Sequence, residues 1–266
     1  MPKLIDPVSL ALPHLPEALE GLSILHLTDL HVRRLRARHH ELIDALGQVG
    51  ADLLVLTGDF MDDLGDEPIT HDLLLRIVKA CPPRVASVGV FGNHDSADLF
   101  RRVDYLPVRW LHNDAWRCEQ LPLTVLGVSC AGNRCAGDLL KALLAEPQVD
   151  KDDEPRLRML LAHMPGWLTG AADAGIDLVL SGHTHGGQIR LPWRRFLYNG
   201  IDHWPLRLTS GVIRRGKTFG VVSRGVGEAY MDRLRILCPP HVPLITLRKA
   251  TGLMDVPDRT VNVRRW

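Results

Sequence analysis

No stretch of this chain approaches the ~20 consecutive apolar residues that a membrane-spanning helix needs. Its charges show no excess of one sign either, with 32 Lys and Arg against 31 Asp and Glu. The first absence argues for a soluble protein, peripheral to a membrane at most. The second argues against a globally basic nucleic-acid binder, so no nucleic-acid partner is expected. A cysteine framework is missing too: Cys81, Cys118, Cys130, Cys135 and Cys238 are odd in number and contain no CxxC spacing. A reducing cytoplasm is therefore the expected compartment, with buried thiols as the expected use of these residues. Asp6, Pro7, Pro13 and His14 interrupt any signal-peptide-like apolar core at the N-terminus. No repeat, low-complexity segment or long polar linker divides the 266 residues. One domain over 1–266 is expected, with its core over about 22–247, a short N-terminal lead and a loosely held tail after Lys249.

What the chain does contain is a recurring unit: a short apolar run that stops at Asp, Asn or His. Ile24-Leu25-His26-Leu27 leads into Thr28-Asp29-Leu30-His31, Leu53 to Leu56 into Thr57-Gly58-Asp59, and Val85 to Phe91 into Gly92-Asn93-His94-Asp95. Met159 to Ala162 stops at His163, and Leu178 to Leu180 at Ser181-Gly182-His183-Thr184-His185. Helical spacing appears over 39–49, 71–79 and 139–144, with a short fourth helix expected over 164–174. Strand patterns cover 121–128, 187–191, 218–223, 234–238 and 244–247. This mixture of βα units and later hairpins predicts an α/β fold with two sheets packed face to face and helices outside.

Ligands of α/β sheets sit beyond the carboxyl ends of the strands. Five such ends bearing only oxygen and imidazole donors point to one metal pocket. Residues two apart in an extended segment face the same side, so Asp29 pairs with His31, and His183 with His185. A donor set of Asp, Asn and His without Cys suits Mn²⁺, Fe²⁺ or Zn²⁺. The seven candidates Asp29, His31, Asp59, Asn93, His163, His183 and His185 exceed what one ion needs, so two divalent ions sharing a carboxylate are expected. Two such ions leave a surplus of positive charge over Asp29 and Asp59, which complements a phosphate ester. Ions ~3.5–4 Å apart can clamp the attacking and leaving oxygens and lower the pKa of a bridging water. His94, beside Asn93, is placed to protonate an alkoxide leaving group, with Asp62 and Asp95 as candidates to orient its ring.

Asp29-x-His31, Gly58-Asp59-x-x-Asp62, Gly92-Asn93-His94-Asp95, His163 and Gly182-His183-x-His185 together resemble the ordered signature of the calcineurin-like metallophosphoesterase superfamily. The resemblance implies a four-layer α/β/β/α sandwich and a phosphoester hydrolase. It implies that Asp29, His31 and His185 hold one ion, Asn93, His163 and His183 the other, that Asp59 bridges them, and that His94 is the acid. Gly182-His-Thr-His-Gly-Gly-Gln188, Leu191-Pro192 and Ser223-Arg-Gly-Val-Gly227 resemble the bacterial YaeI/YkuE-type branch, which includes UDP-diacylglucosamine pyrophosphatases. A phosphodiester or pyrophosphate substrate, of a nucleotide or a lipid, is then preferred over a phosphomonoester or phosphoprotein. A non-catalytic metal-binding scaffold is the reading from another class, and it predicts eroded ligands.

Arg33, Arg34, Arg36 and Arg38 follow the first motif and are either flanks of the pocket mouth, holding a second phosphate or anionic lipid, or a solvated helix start. Trp193, Phe196 and Leu197 among Arg190, Arg194 and Arg195 could enter a headgroup layer or cover the core. Asp152, Asp153 and Glu154 read as a solvated loop, and His26 as a core residue one step from the site.

Overall fold

Successive residues of a strand face opposite ways, and here both faces are apolar. Leu53 and Val55 belong to one buried cluster, while Leu54 and Leu56 belong to another. A strand wrapped in this way must lie between two layers. In the computed structural model, which describes residues 4–130, 138–145, 155–191, 195–196, 208–229, 234–251 and 260–266, that is how the sheets are arranged.

The first sheet runs in the order β1 (Ile5–Leu12), β14 (Val242–Lys249), β2 (Ser23–Leu27), β3 (Leu53–Thr57), β4 (Ala86–Val90) and β5 (Arg109–Trp110). The second runs β15 (Val261–Arg264), β12 (Gly211–Arg215), β13 (Thr218–Val222), β9 (Leu178–Ser181), β8 (Leu157–Ala162), β7 (Leu123–Val128) and β6 (Asp114–Arg117). Both sheets are mixed. Between them lies one core in which Ile24, Val55 and Val88 meet Val125, Met159 and Leu180. Outside the first sheet, α1 (Ala37–Leu46), α2 (Glu67–Ala80) and α3 (Ala97–Val103) cover Leu25, Leu27, Leu54 and Leu56. Outside the second, α4 (Leu139–Leu144) and α5 (Leu168–Asp173) cover Leu126, Leu160 and Val179. The layers are α/β/β/α.

Register is what builds the site. β2 pairs with β3 in parallel (Leu27 with Leu56), and β3 with β4 (Thr57 with Val90), so their carboxyl ends lie abreast. In the second sheet β8 and β9 are parallel, with Leu161 beside Leu180. His26 points between the sheets, where its Nε2 lies 2.7 Å from Thr57 Oγ1. Burial pushes its pKa down to about 3, so it is a neutral core residue.

Several expectations change. The N-terminal lead is the edge strand β1, aligned along all of β14 from Ile5 beside Val242 to Leu12 beside Lys249. The tail returns as β15 against β12, and Trp266 packs on the inter-sheet core. The strand expected over 234–238 is only a single bridge from Ile236 to Ile189, because Leu237 turns to φ 51° ahead of Pro239 and Pro240. The strand over 187–191 shrinks to β10 (Arg190–Leu191), paired with β11 (Arg195–Phe196), since Gly187 and Gln188 also hold positive φ. The helix expected over 164–174 splits into a 3₁₀ turn, Pro165–Trp167, and α5. Cys81, Cys118, Cys130 and Cys238 are free and buried. Cys135, Asp152 to Glu154, Trp193, Arg194 and Leu197 lie outside the described residues. Among the described residues, no helix is long and apolar enough to cross a membrane.

Candidate metal centre

The five strand ends meet. Asp29, His31, Asp59, His163, His183 and His185 are all buried, and their donor atoms converge in overlapping groups: Asp29 with His31 and His185, His31 with Asp59 and His94, and Asp59 with His163 and His183. Asp59 Oδ2 lies 3.5 Å from His31 Nε2 and 3.0 Å from His163 Nε2, so this one carboxylate spans both halves. His185 Nε2 sits 3.1 Å from His31 Nε2 and 3.4 Å from Asp29 Oδ1. His183 Nδ1 sits 3.0 Å from His163 Nε2.

The motif pairs do not converge by being extended. Asp29, His31, Asp59, His183 and His185 have φ of 51°, 41°, 53°, 69° and 48°. Each such turn costs a non-glycine residue about 1–2 kcal/mol, and this kind of strain concentrates at functional sites. The side chains are brought together by paired left-handed kinks beyond the strand ends. Gly182 fits between the sheets only without a side chain, since a Cβ there would stand 2.1 Å from Asp29 Oδ2 and 2.3 Å from Thr28 Oγ1.

Each donor is aimed from behind. His31 Nδ1 donates to Asp62 Oδ1 at 3.2 Å, which turns Nε2 inward, and Arg33 Nε holds the other oxygen of Asp62 at 3.0 Å. His163 Nδ1 donates to the Thr57 carbonyl at 2.8 Å. Asp29 accepts the His183 amide at 3.0 and 3.1 Å. His94 Nδ1 donates to the main-chain carbonyl of Asp62 at 2.7 Å, and its amide donates to Asp59 Oδ1 at 2.9 Å. Asp62 therefore positions His94 through its backbone and His31 through its carboxylate.

Asp95 does not contact the His94 ring. Its Oδ2 accepts the amides of Asp59 (2.9 Å) and Gly92 (2.8 Å), and its Oδ1 those of Phe60 (2.8 Å) and Met61 (3.2 Å). It secures the loop that carries Asp59. Burial and the Asp59 charge raise its pKa to about 6 against the pull of these amides.

This donor set fits divalent cations. Imidazole nitrogens face one another across 3.0 and 3.1 Å, and carboxylates face the same points. The Oδ1 of Asn93 is buried without any hydrogen bond, a costly state for a polar atom. Burial would discharge His163, but the Asp59 carboxylate overrides it and holds the pKa near 9, a proton supplying the positive charge the site calls for. Burial and the charged His163 push His183 down to about 3, and burial with the neighbouring His31 and Arg235 lowers His185. Both rings are thereby kept neutral with a lone pair to offer.

Beside His31 a narrow cleft is lined by Arg33, Arg34, Arg36, Arg38 and Glu228. Arg33 is committed to Asp62 and Asp63, and Arg38 to Glu228, whereas Arg34 is exposed. On the other side lies a wider cavity lined by Asp62, Asp63, Leu64, Asn93, His94, Asp95 and Ser96. Residues not foreseen from the sequence are Arg235, which reaches to 3.4 Å from His185 Nδ1, and Cys238, whose thiol donates to the His185 carbonyl at 3.2 Å. Their only trace in the sequence is a basic residue and a thiol three apart before Pro239-Pro240.

The family profile of the calcineurin-like phosphoesterases matches residues 22–187. The chain is 26% identical over 242 residues to the metallophosphoesterase YkuE of Bacillus subtilis, covering 88% of this chain and 82% of that one. It is 29% identical over 237 residues to the phosphodiesterase YaeI of Escherichia coli, covering 84% and 81%. Against the UDP-2,3-diacylglucosamine pyrophosphatase LpxG of Chlamydia trachomatis it is 23% identical over 295 residues, covering 85% and 84%. A match that runs from β2 through the His183–His185 turn, and so takes in every strand end feeding the centre, makes this chain a member of the calcineurin-like phosphoesterase family.

Proposed function

We propose that this protein is a phosphoesterase that works with two divalent ions and cleaves a phosphodiester or pyrophosphate bond of a nucleotide or lipid-linked substrate. The observation that carries the reading is Asp59, whose Oδ2 stands between His31 and His163 and so joins two donor groups into one centre. Asp29, His31 and His185 would hold one ion, and Asn93, His163 and His183 the other, with Asp59 shared. The ions, Mn²⁺, Fe²⁺ or Zn²⁺ by donor type, would supply charge to the phosphoryl oxygens and acidify the attacking water. The chain's own residues do the rest. With Nδ1 tied to the Asp62 carbonyl, His94 has Nε2 left to hand a proton to the leaving oxygen. Arg34, at the mouth beside His31, is free to meet a second anionic group of the substrate, a role that Arg33 shares only in part because of its carboxylate partners.

The preference for diesters and pyrophosphates rests on the names of the relatives YaeI and LpxG. The chain works as a cytoplasmic protein in this reading, peripheral to the membrane when its substrate is a lipid. A screen of nitrophenyl mono- and diesters, cyclic nucleotides and a UDP-sugar lipid tests it. Chelator-treated protein should be inert, Mn²⁺ should restore turnover, and a diester or pyrophosphate should be cleaved faster than nitrophenyl phosphate. Turnover indifferent to chelation would defeat the proposal, and a monoester cleaved fastest would defeat its substrate half.

A further inference from the structure

Arg235 is an arginine without an ion-pair partner among the described residues, although it lies beside the centre. Most of its hydrogen bonds go to main-chain carbonyls instead, with Nη1 also 3.9 Å from Cys238 Sγ. Nε donates to Gly227 O at 3.0 Å, Nη1 to Cys238 O at 3.2 Å, and Nη2 to Arg224 O at 2.8 Å and Gly225 O at 3.4 Å, with a further bond to Gly227 O. Nη2 also lies 3.4 Å from His185 Nδ1, a packing contact, since an Nε2 facing an ion leaves the ring proton on Nδ1 and a guanidinium has no lone pair to accept it. Charge-assisted bonds like those to the carbonyls are the stronger ones, and a planar fork satisfying several carbonyls fixes the segments it joins.

Those segments all belong to one half of the centre. The amides of Val226 and Gly227 donate to the Asp29 carbonyl at 3.2 and 2.6 Å. Gly227 lies flush on the first motif, where a Cβ would stand 2.2 Å from Leu30 O and 2.9 Å from His31 Cβ. On the opposite side the thiol of Cys238 bonds the His185 carbonyl at 3.2 Å, and Ile236 exchanges main-chain bonds with Gln188 (3.1 Å) and Arg190 (2.9 Å). Arg235 thus ties the backing of Asp29 and His31 to the backing of His185. Among the described residues its hydrogen-bond partners include none of Asp59, Asn93, His163 or His183.

From this geometry we infer that Arg235 is a positioning residue for the Asp29–His31–His185 ion site and not for the other, so that the two ion sites are separable through it. The inference rests on the two-ion reading proposed above. Losing a supporting group of this kind typically weakens metal affinity by about 10–100-fold.

The experiment is a Mn²⁺ titration of the metal-stripped full chain, counted by electron paramagnetic resonance and by elemental analysis after desalting. Wild type, Arg235→Gln and Arg235→Lys are compared, with the melting of each metal-free protein followed by circular dichroism. Wild type should bind two ions. Arg235→Gln should keep one ion at wild-type affinity and bind the second about 10–100-fold more weakly, with Arg235→Lys in between. If Arg235→Gln does not fold, Arg235→Lys carries the comparison. Two ions in wild type with both affinities unchanged, or both weakened alike, would overturn the assignment of Arg235 and leave the two-ion reading standing. Fewer than two ions in wild type would overturn that reading itself and this inference with it.

Discussion

His94→Ala should leave metal content unchanged and lower turnover of an alkyl phosphodiester by about 10²–10⁴-fold, the usual contribution of a positioned general acid. The reason lies in the ring's two nitrogens. Nδ1 is tied to the Asp62 carbonyl at 2.7 Å, so Nε2 is the atom that can deliver a proton. The ring stands edge-on to His31 with centroids 4.7 Å apart, within reach of a phosphoryl group over the centre. A nitrophenyl leaving group departs without proton help, so the same variant should lose far less on a nitrophenyl diester. Paired rate measurements on the two substrates test this. Equal losses on both would mean that His94 does not act as the acid.

Asp95→Ala should unfold the protein far more readily, with a loss of about 3–5 kcal/mol, on the scale of breaking a buried charged network. Four buried amides, those of Asp59, Phe60, Met61 and Gly92, lose their acceptor at once. An unsatisfied buried donor costs about 1–3 kcal/mol, and relaxation or entering water recovers part of that. Asp95→Asn should fare little better: one oxygen can keep two amides, but the new NH₂ group faces the other two donor to donor. Urea unfolding of the metal-free proteins measures the effect without interference from ion binding. A change below about 1 kcal/mol, the scale of an ordinary substitution, would show that this carboxylate is not what holds the Asp59 loop.

Asp95 also shows where sequence reading reaches its limit. Its neighbour His94 was the obvious partner along the chain, yet the parallel pairing of β3 with β4 places the carboxylate under residues 59–61. A contact made across strands leaves no mark in the local sequence. The strand ends themselves were legible because run and ligand are contiguous, as in Leu53 to Asp59. Their convergence was legible because parallel register carries like ends to like places. The positive φ of Asp29, His31, His183 and His185 was not, since alternation along an extended segment accounts for the same spacing. β1 is hard to read from the sequence for a related reason. Val8, Leu10 and Leu12 alternate as a strand should, but Pro7 suits only an edge, and its partner β14 lies more than two hundred residues away. Arg235 shows the same limit, because its partners are carbonyls, which every residue has.

Whether two cations share Asp59 is decided by anomalous diffraction from a crystal grown with Mn²⁺. Two peaks about 3.5–4 Å apart are expected, one among Asp29, His31 and His185, the other among Asn93, His163 and His183, with Asp59 touching both. A single peak, or peaks away from these side chains, would contradict the two-ion reading.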